Sequence, residues 1–334
     1  MIIPINLGPD SYDIVLEAGC LQRAAELLNL DRKVLIVTDD GVPETYAGAI
    51  AAQCAAPLVR TVPCGEGSKR LAVWEELMTA MLQAGFTRGD CVCAVGGGMV
   101  GDLAGFAAAS YMRGVDFYNI PTTVLSQVDS SIGGKTAVNL GGVKNIVGAF
   151  WQPKRVLVDL DTLATLPPRQ ISSGLAEAVK AGLIADKALF ELFETGNIAE
   201  NTEQIIARSL RMKKAVVEQD EKEHGPRRSL NLGHTIGHGI ESVTGLTHGE
   251  SVAIGMIPMC SENVRARLAP VLEKLGLPRS ARADPEAVYA ALLHDKKSAG
   301  GKITIVRVEQ PGSFVLESVA PETLRGLVEM VVKG

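Results

Sequence analysis

The sequence lacks the features that identify several large classes of protein. Its six cysteines include no Cys-x-x-Cys pair, and Cys91 and Cys93 alternate with Val92 in an apolar run that predicts a buried strand. The first residues do not resemble a signal peptide, and no charge-poor apolar stretch is long enough to span a bilayer. We therefore expect a soluble protein with reduced cysteines, located in the cytoplasm.

Positive charge is not in excess. The chain has 33 Lys and Arg residues against 38 Asp and Glu residues, for a formal net charge of -5. Nucleic acid and membranes are therefore not expected as partners. We find no internal repeat, low-complexity tract or charged tail. A chain of 334 residues exceeds what one hydrophobic core usually covers, so two domains are expected.

The arrangement of apolar residues changes near the middle of the chain. Short apolar runs such as 33–39 and 91–95 alternate with helical segments in the first half, which predicts a parallel sheet with crossover helices. Beyond Leu166-Pro-Pro168 the period is mostly helical, with one helix predicted over 249–267 and a late hairpin over 302–319. The fold class predicted is an α/β, Rossmann-like domain with a mostly parallel sheet (1–165), followed by a mainly α-helical metal-binding domain (166–334).

Three of the five histidines lie within one short stretch. His234 and His238 are four residues apart, so on a helix they share a face and can point to one place. His248 follows after a glycine-containing turn and can fold back to the same place. Buried or helix-capping histidines are the alternative interpretation of such a pair. The concentration of three favours a catalytic site for a divalent metal.

A glycine-rich turn, Gly96-Gly-Gly-Met-Val-Gly-Asp102, follows an apolar strand and opens a helix. Its glycines let backbone N–H groups approach a pyrophosphate, and the helix N-terminus adds positive potential. Gly65-Glu-Gly-Ser-Lys69 offers a carboxylate and an ammonium group for ribose and phosphate. Asp39 is a candidate for the ribose hydroxyls or a turn-forming aspartate. Because the glycine turn follows roughly the fifth strand, we expect a dinucleotide bound differently from the ordinary Rossmann mode.

Two further segments carry polar groups inside apolar surroundings. The run from Gln127 to Lys135, continued in Gly142-Val-Lys-Asn145, favours neither helix nor strand and predicts a functional loop. Glu177 and Lys180 lie three residues apart on an otherwise apolar helix. An exposed pair of this kind would have little consequence, but the apolar neighbours indicate that this pair lines an interior cavity.

A carboxylate with two imidazoles is a common ligand set of catalytic metal sites. The residues suggest that Glu177, His234 and His248 bind the metal and that His238 transfers protons. The spacing alone does not decide which two of the three imidazoles are ligands.

Taken together, these motifs resemble the 3-dehydroquinate synthase family. The resemblance runs in order from about residue 30 to Asp295-Lys-Lys297 and thus covers most of the chain. It is carried by Gly96-Gly-Gly-Met-Val-Gly-Asp-Leu-Ala-Gly-Phe106, Pro121-Thr-Thr-Val-Leu-Ser-Gln-Val-Asp-Ser-Ser-Ile-Gly-Gly-Lys-Thr-Ala-Val-Asn139, Lys144-Asn145, Gly174-Leu-Ala-Glu-Ala-Val-Lys180, Asn231-Leu-Gly-His-Thr-Ile-Gly-His238 and His248-Gly-Glu250.

The resemblance implies a lyase of the shikimate pathway, which leads to the aromatic amino acids. Such an enzyme converts 3-deoxy-D-arabino-heptulosonate 7-phosphate to 3-dehydroquinate and phosphate by transient oxidation, phosphate elimination, re-reduction and intramolecular aldol closure. It implies NAD and a divalent metal, zinc or cobalt, as cofactors, and a homodimer as the assembly.

The resemblance also implies roles for individual residues. It assigns the metal to Glu177, His234 and His248. Cofactor contacts map to Glu66, Lys69, Gly98, Met99, Val100, Asp102, Thr122, Thr123, Thr162, Leu163, Ala164 and Thr165, to which we add Asp39, Gly101, Lys135 and Lys144. Catalytic and substrate-binding roles map to Arg113, Asp129, Lys135, Lys144, Asn145, Lys180, Lys213, Arg227, Asn231 and His238, with a late lysine from Lys296-Lys297.

Three other functions fit parts of the pattern. Another sugar-phosphate cyclase would share the fold, metal and NAD, although the intact 129–135 motif and Lys144-Asn145 favour 3-dehydroquinate synthase. A metal-dependent polyol dehydrogenase would release NADH and has no evident need for so many anion-binding cations. A non-catalytic NAD-binding module would leave the metal and acid–base residues without a use.

Overall fold

The computed structural model describes residues 1–223, 225–295 and 302–334, and it divides into two compact units. Unit 1 comprises Met1–Leu166 and unit 2 comprises Pro167–Gly334. Among the described residues, no helix combines the length and apolar character that a membrane crossing requires.

Unit 1 is built on a seven-stranded sheet in which only the edge strand β1 is antiparallel to its neighbour. The spatial order is β1-β2-β9-β6-β5-β3-β4, and β7 and β8 form a separate antiparallel hairpin. The strands of the unit are β1 (Ile2–Ile5), β2 (Tyr12–Leu16), β3 (Lys33–Asp39), β4 (Ala56–Val62), β5 (Cys91–Gly96), β6 (Asp116–Pro121), β7 (Lys135–Leu140), β8 (Val143–Phe150) and β9 (Arg155–Val158).

Helices cover both faces of this sheet, as continuous apolar strands require. In β3 and β5, alternate side chains enter two different cores: Leu35 and Val92 face one, Ile36 and Cys93 the other. The first core also contains residues of α3 and α4, and the second contains residues of α1 and α2. These helices are α1 (Ala24–Leu27), α2 (Glu44–Ala51), α3 (Leu71–Gln83) and α4 (Gly98–Ser110).

The strand order reverses between β3 and β5. From β3 the chain crosses to the edge strand β4 and then returns to β5 on the other side of β3. At such a reversal the loops after two adjacent parallel strands diverge and leave a crevice, where α/β sheets commonly bind ligands. Asp39 ends β3 and Gly96 ends β5, so both lie at this crevice.

The prediction of a loop over 127–145 is wrong in part. Ser126–Ser130 form a short π-helix, and the stretch from Lys135 onward is strand β7, paired with β8. Gly141 and Gly142 both adopt positive φ, which allows the tight turn between β7 and β8. The polar composition of the segment gave no sign of this hairpin. Pairing within the hairpin, not the propensity of single residues, determines the strands.

Unit 2 is mainly helical and so agrees with the prediction; the fold class expected from the sequence is confirmed. Its helices are α5 (Pro168–Ala185), α6 (Lys187–Thr195), α7 (Thr202–Gln219), α8 (His234–Val243), α9 (His248–Met256), α10 (Glu262–Lys274), α11 (Pro285–Asp295) and α12 (Thr323–Val331). Its strands form two small sheets, β11 (Ile303–Arg307) with β12 (Val315–Val319), and β10 (Ala281–Arg282) with β13 (Val332–Lys333).

The prediction of a single helix over 249–267 is wrong. Helix α9 ends at Met256, a 3-10 turn follows over Ile257–Met259, and α10 begins anew at Glu262. The side chain of Ser261 caps α10 by accepting a hydrogen bond from the N–H of Val264. Cys260 meanwhile forms a β-bridge with Val308, so tertiary pairing interrupts the helical period.

Glycines let α8 and α9 approach closely. A Cβ atom on Gly255 would lie 2.1 Å from the carbonyl oxygen of Gly233, and one on Gly237 would lie 3.0 Å from that of Ser251. Gly233 itself has φ +80 and precedes the first residue of α8. The spacing of small residues therefore fixes how near the two histidine-bearing helices can come.

Candidate metal and nucleotide sites

Glu177, His234 and His248 converge on one point in unit 2. One ligand atom from each lies within 4.8 Å of the others. The Nε2 atoms of His234 and His248 are 3.5 Å and 3.4 Å from Oε1 of Glu177. Bonds of about 2.0–2.1 Å at tetrahedral angles place ligand atoms about 3.3–3.5 Å apart. The spacing therefore suits a zinc-like ion bound by these three atoms.

Contacts at the start of α9 fix the position of His248, its first residue. Thr247 and Glu250 form a capping box, in which each side chain accepts a hydrogen bond from the backbone N–H of the other. Arg169 of α5 binds both carboxylate oxygens of Glu250 at 2.7 Å. The N–H of Gly249 donates to Oγ of Ser173, one turn before Glu177. The helix that carries His248 is thus held on the helix that carries Glu177.

The second nitrogen of each ligand imidazole also has a partner. Nδ1 of His234 lies 3.1 Å from the carbonyl oxygen of Leu232, and Nδ1 of His248 lies 3.0 Å from Oε2 of Glu241. Each acceptor favours the tautomer with the proton on Nδ1, which leaves Nε2 as the lone-pair donor to a metal. Sequence reasoning did not find Glu241, because a glutamate at a helix end usually lies on the surface.

Charge and burial oppose one another at this site. Burial disfavours ionisation of Glu177, but the ammonium of Lys180 and the two imidazoles outweigh it and hold the pKa of the carboxyl well below its usual value. Burial and the charge of Lys180 lower the pKa of His234 well below its usual value. Burial also opposes protonation of His248, yet Glu177 and Glu241 raise its pKa to about 9. The pocket therefore holds an ionised carboxylate that attracts cations.

The polar atoms of Glu177 fit a bound cation. Both carboxylate oxygens are buried without a well-formed hydrogen bond among the described residues, although Lys180 makes an ion pair with Oε2. A buried carboxylate without hydrogen bonds is costly unless an opposite charge compensates it. Lys180 supplies part of that charge at Oε2, and a divalent ion bound to Oε1 and the two Nε2 atoms would add to it.

The other predicted residues of unit 2 occupy three elements. His238 lies one turn after His234, and its ring centroid is 5.4 Å from that of His234 and 5.9 Å from that of His248. Lys213 is buried on α7, which packs against α5. Arg227 and Asn231 lie in the 3-10 helix Pro226–Asn231, which also packs against α5. The predicted lysine of Lys296-Lys297 lies outside the described residues.

Arg227 and Asn231 are held by acidic and carbonyl groups of the preceding turn. Arg227 is 1% exposed and donates to the carbonyl oxygen of Glu221. Asn231 donates from Nδ2 to Oε1 of Glu223 at 2.9 Å. Glu223 has φ +62, which is uncommon for a non-glycine residue. Sequence reasoning missed Glu223, and the charged run around it offered no sign of an inward-directed carboxylate.

In unit 1 the glycine turn lies at the crevice between β3 and β5. Helix α4 begins at Gly98, so its first turn contains Met99, Val100 and Gly101. A Cβ atom on Gly98 would lie 2.8 Å from Oγ of Ser130, and that hydroxyl is buried without a hydrogen-bond partner among the described residues. Backbone N–H groups at a helix start next to an unsatisfied hydroxyl suit an anionic nucleotide phosphate.

A charged cluster lies beside this turn. Lys69 is 4% exposed, and its Nζ forms a 2.5 Å ion pair with Oδ2 of Asp102 and lies 3.8 Å from Oε1 of Glu66. Asn139, which sequence reasoning did not select, donates from Nδ2 to the same oxygen of Glu66 at 2.8 Å. Asp39 accepts a hydrogen bond from the N–H of Gly41, and burial raises its pKa. The structure thus brings Glu66, Lys69 and Asp102 together.

The remaining predicted residues of unit 1 are distributed around the sheet and the hairpin. Thr122 and Thr123 follow β6, and Asp129 lies in the π-helix. Lys135 begins β7, Lys144 and Asn145 lie at the start of β8, and Arg113 has φ +69 in the turn after α4. Thr162, Leu163, Ala164 and Thr165 lie in the 3-10 helix Leu160–Thr165.

The hydroxyl of Thr162 already has protein partners. It donates to the carbonyl oxygen of Asp159 at 2.7 Å and accepts from Nε2 of Gln127 at 3.1 Å. The hydroxyl of Thr165 lies 2.8 Å from that of Tyr46. Both side chains therefore stabilise the 3-10 helix. A cofactor that contacts this helix would bind to its backbone groups.

Comparison with known proteins identifies relatives across the whole chain. The model of the 3-dehydroquinate synthase N-terminal region matches residues 59–173, and that of the C-terminal region matches residues 174–298. A 3-dehydroquinate synthase of Pelobacter propionicus is 41% identical over 360 residues, which cover 98% of this chain and 99% of that protein. A 3-dehydroquinate synthase of Enterococcus faecalis is 40% identical over 352 residues, which cover 98% of this chain and 98% of that protein.

Solved structures of sugar-phosphate cyclases are similar as well. A 2-deoxy-scyllo-inosose synthase in complex with carbaglucose-6-phosphate, NAD⁺ and Co²⁺ superposes with a TM-score of 0.90 at 26% identity, covering 99% of this chain and 100% of that one. A 2-epi-5-epi-valiolone synthase from Streptomyces hygroscopicus with NAD⁺ and Zn²⁺ gives 0.86 at 28% identity, covering 96% of each chain.

Proposed function

The chain belongs to the 3-dehydroquinate synthase family, and we propose that it converts 3-deoxy-D-arabino-heptulosonate 7-phosphate to 3-dehydroquinate and phosphate. The family expected from the sequence is confirmed. One observation carries the chemical assignment: Glu177, His234 and His248 place three ligand atoms within 4.8 Å of one another in a chain that matches the synthases over nearly its whole length.

The cofactors follow from the two sites. Glu177, His234 and His248 would hold the divalent ion, and the glycine turn with Glu66, Lys69 and Asp102 would hold NAD⁺. Binding of NAD⁺ and of Co²⁺ or Zn²⁺ by the similar cyclases supports this assignment. NAD⁺ bound there would supply a reversible hydride acceptor, and the metal ion would supply a Lewis acid.

The protein groups around the metal ligands prepare that chemistry. Lys180 keeps Glu177 ionised at a depth where a carboxylate would otherwise take up a proton. Leu232 and Glu241 hold the two imidazoles in the tautomer that presents Nε2. The ring of His238 lies edge-on to that of His234 and is tilted against that of His248. Because His238 is not one of the proposed metal ligands, we assign it the transfer of a proton to or from the substrate.

The substrate carries a carboxylate and a phosphate, and the predicted cations match those charges. Unit 2 supplies Lys213 and Arg227, both buried and therefore able to bind an anion strongly with little competition from water. Of the other predicted residues, Arg113, Lys135 and Lys144 are cations of unit 1, and Asn145 is a neutral amide of the same unit. An acidic protein that binds a sugar with two anionic groups must concentrate positive charge around its ligand.

Product analysis tests the proposal. The purified protein with NAD⁺, Zn²⁺ or Co²⁺ and the heptulosonate phosphate should release inorganic phosphate and form 3-dehydroquinate, identified by NMR, without net NADH. Glucose 6-phosphate, which has no carboxylate, serves as the comparison substrate and should react far more slowly. Accumulation of NADH would indicate a dehydrogenase, and faster reaction of the hexose phosphate would indicate another cyclase.

We further propose a cytoplasmic homodimer. All six cysteines are free thiols, as a reducing compartment requires. Leu140, Val143, Ile146 and Phe150 of the β7–β8 hairpin are between 43% and 60% exposed, and such an apolar group supports contact with a second copy. Light scattering should give twice the mass of the 35.3 kDa chain, and Ile146→Lys should shift it toward the monomer.

A further inference from the structure

Asn139 joins two segments that the proposed function assigns to different ligands. It lies in the β7–β8 hairpin, where the strand register shifts between Val138 and Leu140. Irregularities of this kind redirect a side chain out of the ladder. The backbone N–H of Asn139 donates to the carbonyl oxygen of Lys69 at 2.8 Å, and the residue forms a β-bridge with Arg70. The hairpin is thereby attached to the loop that carries Glu66.

The side chain of Asn139 makes one contact toward each segment. Its Oδ1 accepts a hydrogen bond from the backbone N–H of Asn145, and its Nδ2 donates to Oε1 of Glu66, both at 2.8 Å. The orientation of the amide is fixed by its partners, because a backbone N–H can only donate and an ionised carboxylate can only accept. An amide is therefore the side chain that satisfies both neighbours at once.

Each contact restrains a group that has other conformations open to it. Asn145 has φ +57, a left-handed conformation that is uncommon for non-glycine residues, although asparagine adopts it more readily than most. Glu66 is 42% exposed in its side chain and would otherwise rotate freely in solvent. Its Oε1 accepts the hydrogen bond from Asn139 and lies 3.8 Å from Nζ of Lys69, so the carboxylate is held beside the cluster at the glycine turn.

Resting on the function proposed above, we propose that Asn139 is a positioning residue that orients Glu66 toward the ribose of NAD⁺ and, independently, Asn145 toward the substrate. Asn139 touches neither ligand in this scheme. Its amide nitrogen serves the cofactor and its amide oxygen serves the substrate, so substitutions that alter only one atom should alter only one binding constant.

Three variants separate these two contacts. Asn139→Asp keeps an oxygen for the N–H of Asn145 but places a second carboxylate against Glu66, so the Kd for NAD⁺ should rise about tenfold while the KM for the heptulosonate phosphate at saturating NAD⁺ stays within about twofold. Asn139→Ala removes both contacts, so both constants should rise. In a Glu66→Gln background, Asn139→Asp should raise the Kd for NAD⁺ less than about twofold, because a glutamine amide can donate to the new carboxylate.

The measurements use the full chain loaded with Zn²⁺, with calorimetry for NAD⁺ and phosphate release for the substrate. Thr136→Val is the matched control, since it removes a hydrogen bond to the carbonyl oxygen of Ala149 within the same hairpin and should leave both constants within about twofold. Urea unfolding of every variant identifies any general loss of structure.

The pattern of constants decides the outcome. If Asn139→Asp raises the KM as much as the Kd, or if Thr136→Val has the same effects, Asn139 only stabilises the hairpin and the inference is overturned. The inference also fails if Asn139→Asp raises the Kd for NAD⁺ as much in the Glu66→Gln background as in the wild-type background. A wild-type protein that neither binds NAD⁺ nor releases phosphate would overturn the proposed function as well, whereas an active wild type with unchanged variants overturns the role of Asn139 alone.

Discussion

At the scale of single residues, the contact between Glu241 and His248 determines how well the metal site is prepared. The carboxylate fixes the ring orientation and increases the basicity of Nε2. We expect Glu241→Gln, which weakens this contact without changing the shape of the side chain, to raise the Kd for Zn²⁺ about 10- to 100-fold. Competition with a chromophoric chelator measures the Kd, and the absorption spectrum of the Co²⁺ form reports the altered ligand geometry.

The exposed Glu203→Gln on α7 is the control for the loss of one negative charge. It should leave the Kd for Zn²⁺ unchanged. Equal effects of the two substitutions would mean that net charge, and not the contact with His248, accounts for the change.

Replacement of His238 should lower activity without loss of the metal, unlike replacement of His234 or His248. Its ring lies beside both ligand rings, but its nitrogens are not part of the group of atoms that suits a metal. We expect His238→Ala to retain one metal ion per chain and to lower kcat by about 100- to 1,000-fold, as is typical for the loss of a proton-transfer group. Metal analysis and steady-state kinetics of the same sample provide the test, and loss of the metal would assign His238 to the ligand set instead.

Much of this site could be predicted from residue types and spacing. The pair His234 and His238 lies on one helix, as spacing by four residues indicates, and Glu177 is buried among apolar neighbours, as its surroundings suggested. Glu241, Glu223 and Asn139 could not be found in this way, because their roles depend on how turns and loops fold back to bring their partners close. A charged or amide side chain gives no local pattern that separates such contacts from ordinary exposure.

At the scale of elements, the packing of α8 against α9 determines the distance between the histidines. Gly255→Ala would place a Cβ atom 2.1 Å from the carbonyl oxygen of Gly233, so the two helices must separate. We expect a loss of about 3 kcal/mol in the free energy of unfolding and a weaker affinity for Zn²⁺, since overpacking at backbone contacts cannot be relieved by a side-chain rotation. Urea unfolding and the chelator competition measure the two effects.

Gly245→Ala provides the matched comparison in the segment between the same helices. A Cβ atom there meets nothing within 4 Å, so stability and metal affinity should remain close to those of the wild type. If Gly255→Ala behaved like Gly245→Ala, close approach of α8 and α9 would not be a requirement of the site.

Some helices and strands can be predicted from the local sequence pattern, and others cannot. The buried strands β3 and β5 and the amphipathic α7 follow from continuous apolar runs and from helical period. The break after α9 does not, because the bridge between Cys260 and Val308 depends on a segment much later in the chain. Likewise β7 and β8 exist through their mutual pairing, and their polar, glycine-containing sequence alone favours a loop.

At the scale of the whole molecule, stability depends on carboxyl groups distributed over both units. Hydrogen bonds lower the pKa of Asp90 against its burial, with the N–H and hydroxyl of Thr87 as donors. Burial raises the pKa of Asp186, but the guanidinium of Arg208 and the N–H of Leu189 outweigh it and lower this pKa. Arg169 lowers the pKa of Glu250. The negative charge of each group is therefore bound more favourably in the folded protein than in the unfolded chain.

The sign of the resulting pH dependence is fixed by these shifts. A carboxyl whose pKa is lower in the folded state contributes stability that is fully present above its unfolded value of about 4 and is lost as the pH falls through the folded value. Below about pH 6.5 the unfolded chain protonates His234, whereas the folded protein, in which the pKa of His234 is lowered, does not, so the free energy of unfolding by urea should already decline there. The carboxyl groups should steepen this decline below about pH 4.5. Asp186→Asn should lower stability by about 1 kcal/mol at about pH 6 and make the acid decline shallower, because the charge-assisted pair with Arg208 is lost, whereas the Asn oxygen can still cap the helix. The exposed Asp31→Asn should change neither quantity, and an equal decline in the wild type and in Asp186→Asn would show that the pairing with Arg208 contributes nothing to acid sensitivity.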